Sequence, residues 1–240
     1  MDTNAGWTYD EMKQVGTDYD SLERVREYDE RMCALRDIDA EANAILDDLE
    51  MKNGDVLVEF GAGTGELAIA ASRRCRRVYA LDVSRTMLDY ARGKAERRGA
   101  GDISFVHSGF LGYTHDDTPP AAVVSQLALH HLPDFWKLVA LSRVHDLLAP
   151  GGRFFLRDVV FAVQPGKVAA SIGRTVERMR ESAGEEAALD YERHVREEYS
   201  TYDWIMEEML YRAGFHIERA DYGDFFIATY LCLKPAARAR

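Results

Sequence analysis

The chain contains 240 residues, 47% of them apolar, which predicts one domain, or one domain with a small cap, around a sizeable core. No apolar run approaches the roughly 20 residues of a membrane-spanning helix, and the polar, acidic beginning is unlike a secretory signal. Three widely spaced cysteines (Cys33, Cys75, Cys232) predict neither a disulfide framework nor a zinc site. They favour a reducing, cytoplasmic setting.

The net charge of −11 is concentrated at one end of the chain. Residues 1–50 carry 15 acidic and 5 basic side chains, whereas the other 190 residues carry 26 and 25. Nucleic-acid partners require a basic face, so this distribution argues against them. Two basic runs, 73–77 and 92–98, lie near predicted helix ends and are interpreted as solvated ends. The acidic segment is interpreted as a solvated helix surface, with a lid that disfavours anionic substrates as the alternative.

Secondary-structure signals begin with a helix and then alternate. Residues 21–50 have apolar residues at helical spacing without Gly or Pro, and Ser21 is a plausible N-cap. Asn53-Gly54 then predicts a turn. Strands are predicted at 55–60, 77–83, 103–109, 121–128 and within 151–160, with helices at 66–74, 84–98 (capped by Ser84) and 134–148 between them. This alternation predicts a parallel sheet with helices on both faces.

The C-terminal part has a different pattern. Residues 165–200 are charged and mostly helical, and a helix over 201–212 ends at Ala213-Gly214. Two strand signals then flank 221–224, so close together that they can pair only antiparallel. The predicted division is an N-terminal helical lid (1–50), an α/β core (51–164), a helical cap insertion (165–200) and a helix with a strand pair that completes the sheet (201–240).

The stretch "VLVEFGAGTGELA" places Gly61, Gly63 and Gly65 directly after the first strand. In an open parallel sheet, ligands bind beyond the carboxyl ends of the strands, and glycines let a ligand approach the main chain. The third glycine comes one position earlier than in the dinucleotide pattern G-x-G-x-x-G. Glu59 would repel a pyrophosphate and suits an amino group, while Asp82 can accept both hydroxyls of a ribose. A ligand with a ribose and no pyrophosphate is favoured, and a purely structural turn is the alternative.

This loop and four later motifs carry a family resemblance. "VLVEFGAGTGELA", "VYALDVS", "AAVVSQLALHHLPD", "LLAPGGRFFLRD" and the closing "RAGFHIERADYGDFFIATYLCLKP" resemble class I S-adenosylmethionine (SAM)-dependent methyltransferases, in particular their type-11-like small-molecule branch. The resemblance covers about residues 50–160 and 200–235. It implies a doubly wound, mostly parallel seven-stranded sheet with a terminal antiparallel hairpin, a Rossmann-like methyltransferase fold, together with a helical cap and SAM as the cofactor.

The resemblance also implies roles for individual residues. Glu59 would lie under the methionine amino end of SAM, Asp82 would hold the ribose hydroxyls, and Gln126 would lie near the methionine moiety. The other implied cofactor-binding residues are Gly61, Ala62, Gly63 and Gly65 in the loop, Val83 and Met87 beside the adenine, and Ser108, Gly109 and Phe110 after the third strand. Many family members have an acid in this last position that accepts from the adenine amine. Here a hydroxyl, the main chain or ring stacking must replace it.

Catalysis of methyl transfer mainly requires alignment of the nucleophile with the methyl group. His130 and His131 follow the fourth strand, at the rim where an acceptor would enter, and are the predicted catalytic residues, because a neutral imidazole can take a proton. Ordinary packing is the alternative. Asp134 is interpreted as a helix N-cap. A metal site made of His130, His131 and Asp134 is considered but not predicted. Arg157-Asp158 either faces the pocket or pairs with its surroundings.

The sequence therefore predicts a cytoplasmic SAM-dependent methyltransferase that acts on a small molecule, with no metal, nucleic-acid or membrane partner. One alternative is a SAM-binding regulatory protein without turnover, and another is a methyltransferase for RNA or protein. A nicotinamide-dependent oxidoreductase is disfavoured by the glycine spacing, by Glu59 and by the terminal hairpin. The acceptor, the atom that is methylated and the oligomeric state are not specified.

Overall fold

The computed structural model of the protein describes residues 6–13, 15–16, 21–35 and 37–236, with side chains at 34 and 35 excluded. Its strands are β1 (Val56–Phe60), β2 (Arg77–Asp82), β3 (Ile103–His107), β4 (Ala122–Gln126), β5 (Arg153–Phe161), β6 (Thr201–Tyr202), β7 (His216–Tyr222) and β8 (Ile227–Leu233). Its helices are α1 (Leu22–Leu35), α2 (Ile38–Asp48), α3 (Glu66–Ala71), α4 (Arg85–Arg97), α5 (Asp134–Leu147), α6 (Val168–Ala183), α7 (Glu185–Glu197) and α8 (Asp203–Arg212).

The strands form one mixed sheet in the order β3-β2-β1-β4-β5-β8-β7. Strands β1 to β5 pair in parallel, and β8 pairs antiparallel with both β5 and β7. The predicted fold class is confirmed, with one addition: the two-residue β6 pairs with β5 as an eighth strand. Two residues are too few to show an alternating pattern, which is why the sequence does not reveal β6. The strand order reverses at β1, so the ligand crevice is expected beyond its carboxyl end.

Local sequence explains the best-predicted elements. All five residues of β1 are buried, as expected for a parallel strand covered on both faces. The Ser84 hydroxyl accepts the Met87 N–H (3.2 Å), which confirms Ser84 as the N-cap of α4. The helix predicted over 21–50 is instead two helices, because Asp37 leaves helical geometry and its carboxylate accepts the Ala40 N–H (3.0 Å) to cap α2.

Helices α1 and α2 attach to the core through their acidic residues. The buried Lys94 ammonium in α4 bonds Asp29 of α1 and Glu66 of α3, the latter at 2.8 Å. Arg74 bonds Asp47 of α2 at 2.6 Å. Further pairs of this kind are Glu41–Arg157, Glu50–Arg153 and Asp48–Arg219. The interpretation of the acidic segment as a solvated surface is therefore wrong for the buried Asp29. It holds for Asp47 and Glu50, whose side chains are 66% and 63% exposed although they pair with arginines.

Helices α6 and α7 pack against each other around a small core of Val176, Ala188 and Tyr191. The segment after α7 returns to the sheet, where the Tyr199 N–H donates to the His130 carbonyl (2.9 Å). The buried Lys137 ammonium donates to the Tyr199 carbonyl. Among the described residues, no helix combines the length and the apolar character needed to cross a membrane.

Candidate active site

The glycine loop after β1 is fixed against the ends of the neighbouring strands. Ala62 donates its N–H to a carbonyl of β2 (2.8 Å), and Gly63 donates its N–H to the Asp82 carboxylate (2.8 Å). Gly61 has φ +73°, and a Cβ there would lie 2.4 Å from the Cβ of Ala128. A larger residue at 61 is therefore excluded by both backbone conformation and space. A Cβ at Gly63 would meet nothing within 4 Å, which leaves this face of the loop open to a ligand.

The Asp82 carboxylate is held in place by main-chain donors. Its two oxygens accept the N–H groups of Gly63 and Ser84, each at 2.8 Å. Burial raises the pKa of Asp82, and these N–H groups oppose the shift. Each carboxylate oxygen has a second acceptor position, so Asp82 can still accept hydroxyl donors of a ligand.

Glu59, on β1, is buried and incompletely hydrogen-bonded. Its side chain is 3% exposed, and its Oε2 has no hydrogen-bond partner among the described residues. Burial, reinforced by the charge of Asp82, raises the pKa of Glu59 well above its usual range. Two neighbouring carboxylates without a cation are electrostatically unfavourable, so this pair is suited to a positively charged ligand group with N–H donors.

Other residues predicted to bind the cofactor flank Glu59 and Asp82. Val83 follows Asp82, and its carbonyl accepts from His107 Nε2 (2.8 Å). Met87 is buried in the first turn of α4. The Gln126 side chain is partly buried at the end of β4, 3.4 Å from an Arg157 nitrogen. The residues thus surround the carboxyl ends of β1, β2 and β4.

The loop after β3 is bound by a residue that sequence reasoning missed, Glu11 of the N-terminal segment. Phe110 is buried, with its ring stacked on Phe60 (centroids 4.5 Å apart), so its ring belongs to the core. The Glu11 carboxylate accepts the N–H groups of Leu111 (2.8 Å) and Gly112 (2.6 Å).

A Cβ at Gly109 would lie 2.4 Å from Glu11 Oε2. Glu11 thus holds the main chain of this loop from the N-terminal segment, and we expect an Asp at 109 to place a carboxylate near the same N–H groups. Ser108 is partly buried beside it. No local sequence signal links Glu11 to a loop about 100 residues away.

The chain turns sharply after β4. Leu127 has φ +52°, and its N–H donates to the Arg157 carbonyl (2.8 Å). A left-handed conformation is unusual for leucine and such strain concentrates at functional sites. The turn directs Ala128 against Gly61 and begins the 3-10 turn Leu129–His131. The two predicted catalytic histidines therefore follow, by two and three residues, the alanine that approaches Gly61.

His130 is buried between two carboxylates. Its main-chain N–H (3.0 Å) and its Nδ1 both bond Asp158, and its Nε2 lies 3.1 Å from Glu198 Oε2. Burial lowers the pKa of His130, but Asp158 and Glu198 outweigh it and raise the pKa to about 9. His130 is therefore an imidazolium near neutral pH in the structure as described.

His131 and His194 complete this cluster. The pKa of His131 is lowered to about 4 by burial and by the neighbouring His130 charge. Its buried Nδ1 has no hydrogen-bond partner among the described residues. His194 bonds Glu198 through Nδ1 and Ser200 through Nε2 (2.8 Å). Burial raises the pKa of Glu198, but its bonds to His130 and His194 prevail and lower it.

Two sequence interpretations are settled by this geometry. Asp134 does not cap α5: Pro133 holds the N-cap position, and the Asp134 carboxylate accepts from Lys137 (2.7 Å) and Thr201 (3.0 Å). The acids that approach the histidines are Asp158 and Glu198. Asp158 bonds the His130 side chain, whereas Arg157 pairs with Glu41 (2.9 Å).

The strand order and the glycine loop at its reversal point define a class I methyltransferase fold, and comparison with known proteins identifies the family. A methyltransferase-domain family model matches residues 57–152. An uncharacterised methyltransferase of Geobacillus kaustophilus is 30% identical over 201 residues, which cover 84% of this chain and 86% of that protein. One from Bacillus cereus is 30% identical over 182 residues, covering 76% and 79%. The chain belongs to this methyltransferase family.

Solved structures share the fold at low sequence identity. Magnesium protoporphyrin IX methyltransferase of Synechocystis, solved with bound SAM, has a TM-score of 0.57 at 15% identity and covers 93% of this chain and 88% of its own. The [4+2]-cyclase SpnF has a TM-score of 0.63 at 15% identity, covering 83% and 81%. The resemblance to class I SAM-dependent methyltransferases is confirmed, while the neighbours' differing chemistries show that the fold alone does not identify the acceptor.

Proposed function

We propose that this methyltransferase binds SAM across the glycine loop and transfers its methyl group to a small-molecule acceptor. The observation that carries the proposal is the buried Glu59 carboxylate, whose Oε2 has no partner among the described residues and which lies near Asp82. The amino group of SAM would supply the missing donors and compensate the charge. A pyrophosphate at the same place would add negative charge to two buried acids.

The neighbouring groups fit the rest of the cofactor. Asp82 is already oriented by two N–H groups and retains acceptor positions for the ribose hydroxyls. The open face at Gly63 permits close approach of a ligand to the main chain. When bound, SAM supplies an electrophilic methyl group on its sulfonium, and the protein's own contribution is to orient the two reactants.

The acceptor side of the site is formed by the 3-10 turn Leu129–His131, which we call the histidine turn. The approach of Ala128 to Gly61 supports this assignment, because His130 and His131 follow Ala128 by two and three residues. His131 is the proton acceptor for nucleophiles that must lose a proton, because its Nδ1 is unengaged by the described residues. His130, fixed by Asp158, positions the turn. The near-neutral chain beyond residue 50 favours a small molecule over a nucleic acid.

Calorimetric titration with SAM, and with NADH in parallel, tests the cofactor assignment. We expect micromolar binding of SAM alone. Binding of NADH alone would overturn the roles of Glu59 and Asp82 together.

Turnover is tested separately by incubating the protein and SAM with a panel of small amines, phenols, thiols and carboxylates and measuring S-adenosylhomocysteine. Acceptor-dependent release supports the proposal. SAM binding without release from any small molecule favours a regulatory protein, and release only with RNA or protein favours a macromolecular acceptor.

A further inference from the structure

We propose that His130, His131 and Glu198 form a binding site for a divalent first-row transition-metal ion. Each of the three residues offers one ligand atom, and these atoms all lie within 4.8 Å of one another. His130 Nε2 and Glu198 Oε2 lie 3.1 Å apart. Donors that bind one ion at about 2.1 Å lie roughly 3–4 Å apart, so the pair has a suitable spacing once the ion replaces the proton on Nε2.

The donor set indicates the class of ion. Two imidazoles and one carboxylate suit Zn²⁺, Fe²⁺, Co²⁺ or Mn²⁺, whereas Mg²⁺ and Ca²⁺ prefer oxygen donors. Three protein donors leave coordination positions for an exogenous ligand, as in catalytic rather than structural sites.

The surrounding residues orient the donors as they do around bound metals. Asp158 is fully buried and engages His130 Nδ1, which directs Nε2 towards Glu198. A carboxylate on the far nitrogen of an imidazole is the usual arrangement that holds a metal-binding histidine. Asp158 is itself fixed by the N–H groups of His130 (3.0 Å) and Val159 (2.8 Å), and His194 Nδ1 bonds Glu198 Oε2, the oxygen that faces His130.

The third donor supplies an independent observation. His131 Nδ1 is buried and has no hydrogen-bond partner among the described residues. Buried polar atoms are nearly always satisfied, so each exception requires an explanation. Because one nitrogen of the His131 ring lies within 4.8 Å of the ligand atoms of His130 and Glu198, a metal ion bound by the three residues provides one.

A second cluster, Asp29, Cys33 and Glu66, has similar spacing but does not support the same proposal. The Lys94 ammonium already bonds both acids, Glu66 at 2.8 Å. A cation thus occupies the centre of that cluster, and Cys33 serves as a control.

The position of the proposed ion suggests its use. The histidine turn directly follows Ala128, which approaches Gly61 of the glycine loop. An ion there would bind an oxygen or nitrogen of the acceptor and lower the pKa of that group, so that its proton passes to water. With the ion bound, His131 is a metal ligand and no longer the proton acceptor. Metal binding goes beyond the proposed function and does not depend on methyl transfer.

Titration of the untagged, full-length protein with Co²⁺ in the absence of SAM tests the site, with visible absorption as the readout. We expect one equivalent to bind with micromolar affinity. His131→Ala and Glu198→Gln should each weaken binding about ten-fold or more, and Asp158→Asn should weaken it about 10–100-fold by releasing the His130 ring. Cys33→Ser should leave binding unchanged.

X-ray absorption of the Co²⁺-loaded wild type tests the same proposal without relying on variants that fold poorly. Imidazole scattering without a Co–S shell supports it. A sulfur ligand, loss of binding in Cys33→Ser or the absence of stoichiometric binding would overturn it. So would wild-type affinity in His131→Ala and Glu198→Gln. Because SAM calorimetry is a separate measurement, failure here is distinguishable from failure of the proposed function.

Discussion

The two sides of the candidate active site are built in different ways. The cofactor side is contained largely within residues 59–84 and relies on main-chain N–H donors that hold Asp82. The acceptor side joins His130, Asp158 and Glu198 through bonds between side chains. Substitutions on the cofactor side should therefore change ligand affinity, whereas those on the acceptor side should also loosen the docking of α7 on the sheet.

The largest effect is expected for Asp158→Ala. This change leaves the buried His130 without its main partner, and breaking a buried ion pair costs about 3–5 kcal/mol. Urea unfolding at constant pH measures the change in the free energy of unfolding. Asp146→Ala, at an exposed position of α5, is the matched control and should change it by about 0.5 kcal/mol or less. Equal changes in the free energy of unfolding for the two variants would show that the cluster of His130, Asp158 and Glu198 does not stabilise the fold.

On the cofactor side, Asp82→Ala should weaken SAM binding about 100-fold, because charged hydrogen bonds contribute about 1.5–3 kcal/mol each. Asp82→Asn keeps one acceptor oxygen and should lose less. Calorimetry measures both affinities, and urea unfolding should show a smaller loss of stability than for Asp158→Ala. Unchanged affinity in Asp82→Ala would remove this residue from the site.

The pH dependence of SAM binding tests the role of Glu59. Its raised pKa means that the free folded protein retains a proton on Glu59 at pH values where the unfolded chain has lost it. An ammonium group favours the carboxylate, so binding should release this proton, and affinity should rise with pH until Glu59 is ionised, by at most about ten-fold per pH unit.

Glu59→Gln should bind about ten-fold more weakly, consistent with loss of one charged hydrogen bond, and without this pH dependence. Calorimetry between about pH 5.5 and 7.5 in buffers of different ionisation enthalpy counts the released protons. A wild-type affinity that falls as pH rises would contradict the assignment.

The smallest effect concerns the carboxylate that crosses from the N-terminal segment. Glu11→Ala removes the acceptor of the Leu111 and Gly112 N–H groups. We expect SAM binding to weaken by about 1 kcal/mol, or about five-fold.

Adding Gly109→Asp to Glu11→Ala should restore binding. Gly109→Asp alone should weaken it, because its Cβ would lie 2.4 Å from a Glu11 oxygen. Calorimetry on Glu11→Ala, Gly109→Asp and the double variant tests this. Additive effects of the two substitutions on SAM affinity would contradict the idea that a carboxylate at 109 can replace that of Glu11.

The predictions from sequence succeeded where short segments determine the structure. The apolar run of β1 and the Ser84 cap are local features, and both appear as expected. The break between α1 and α2 was missed because Asp37 competes for the backbone within an otherwise helical pattern. Asp134 was misassigned because a proline-acid pair looks like a helix start, whereas its carboxylate bonds Lys137 and Thr201.

The fold class, the parallel core and the methyltransferase family follow from the order of apolar segments, glycines and acids along the chain. That order acts through short-range effects such as strand burial, helix capping and the close backbone contact at Gly61. Which acid reaches which partner is a matter of packing: Glu11 reaches the Leu111 loop, and Glu198 reaches His130. These contacts join residues about 100 and 68 positions apart, and no periodicity in the sequence encodes them, because a side chain's partners at that distance are set by how the helices dock on the sheet.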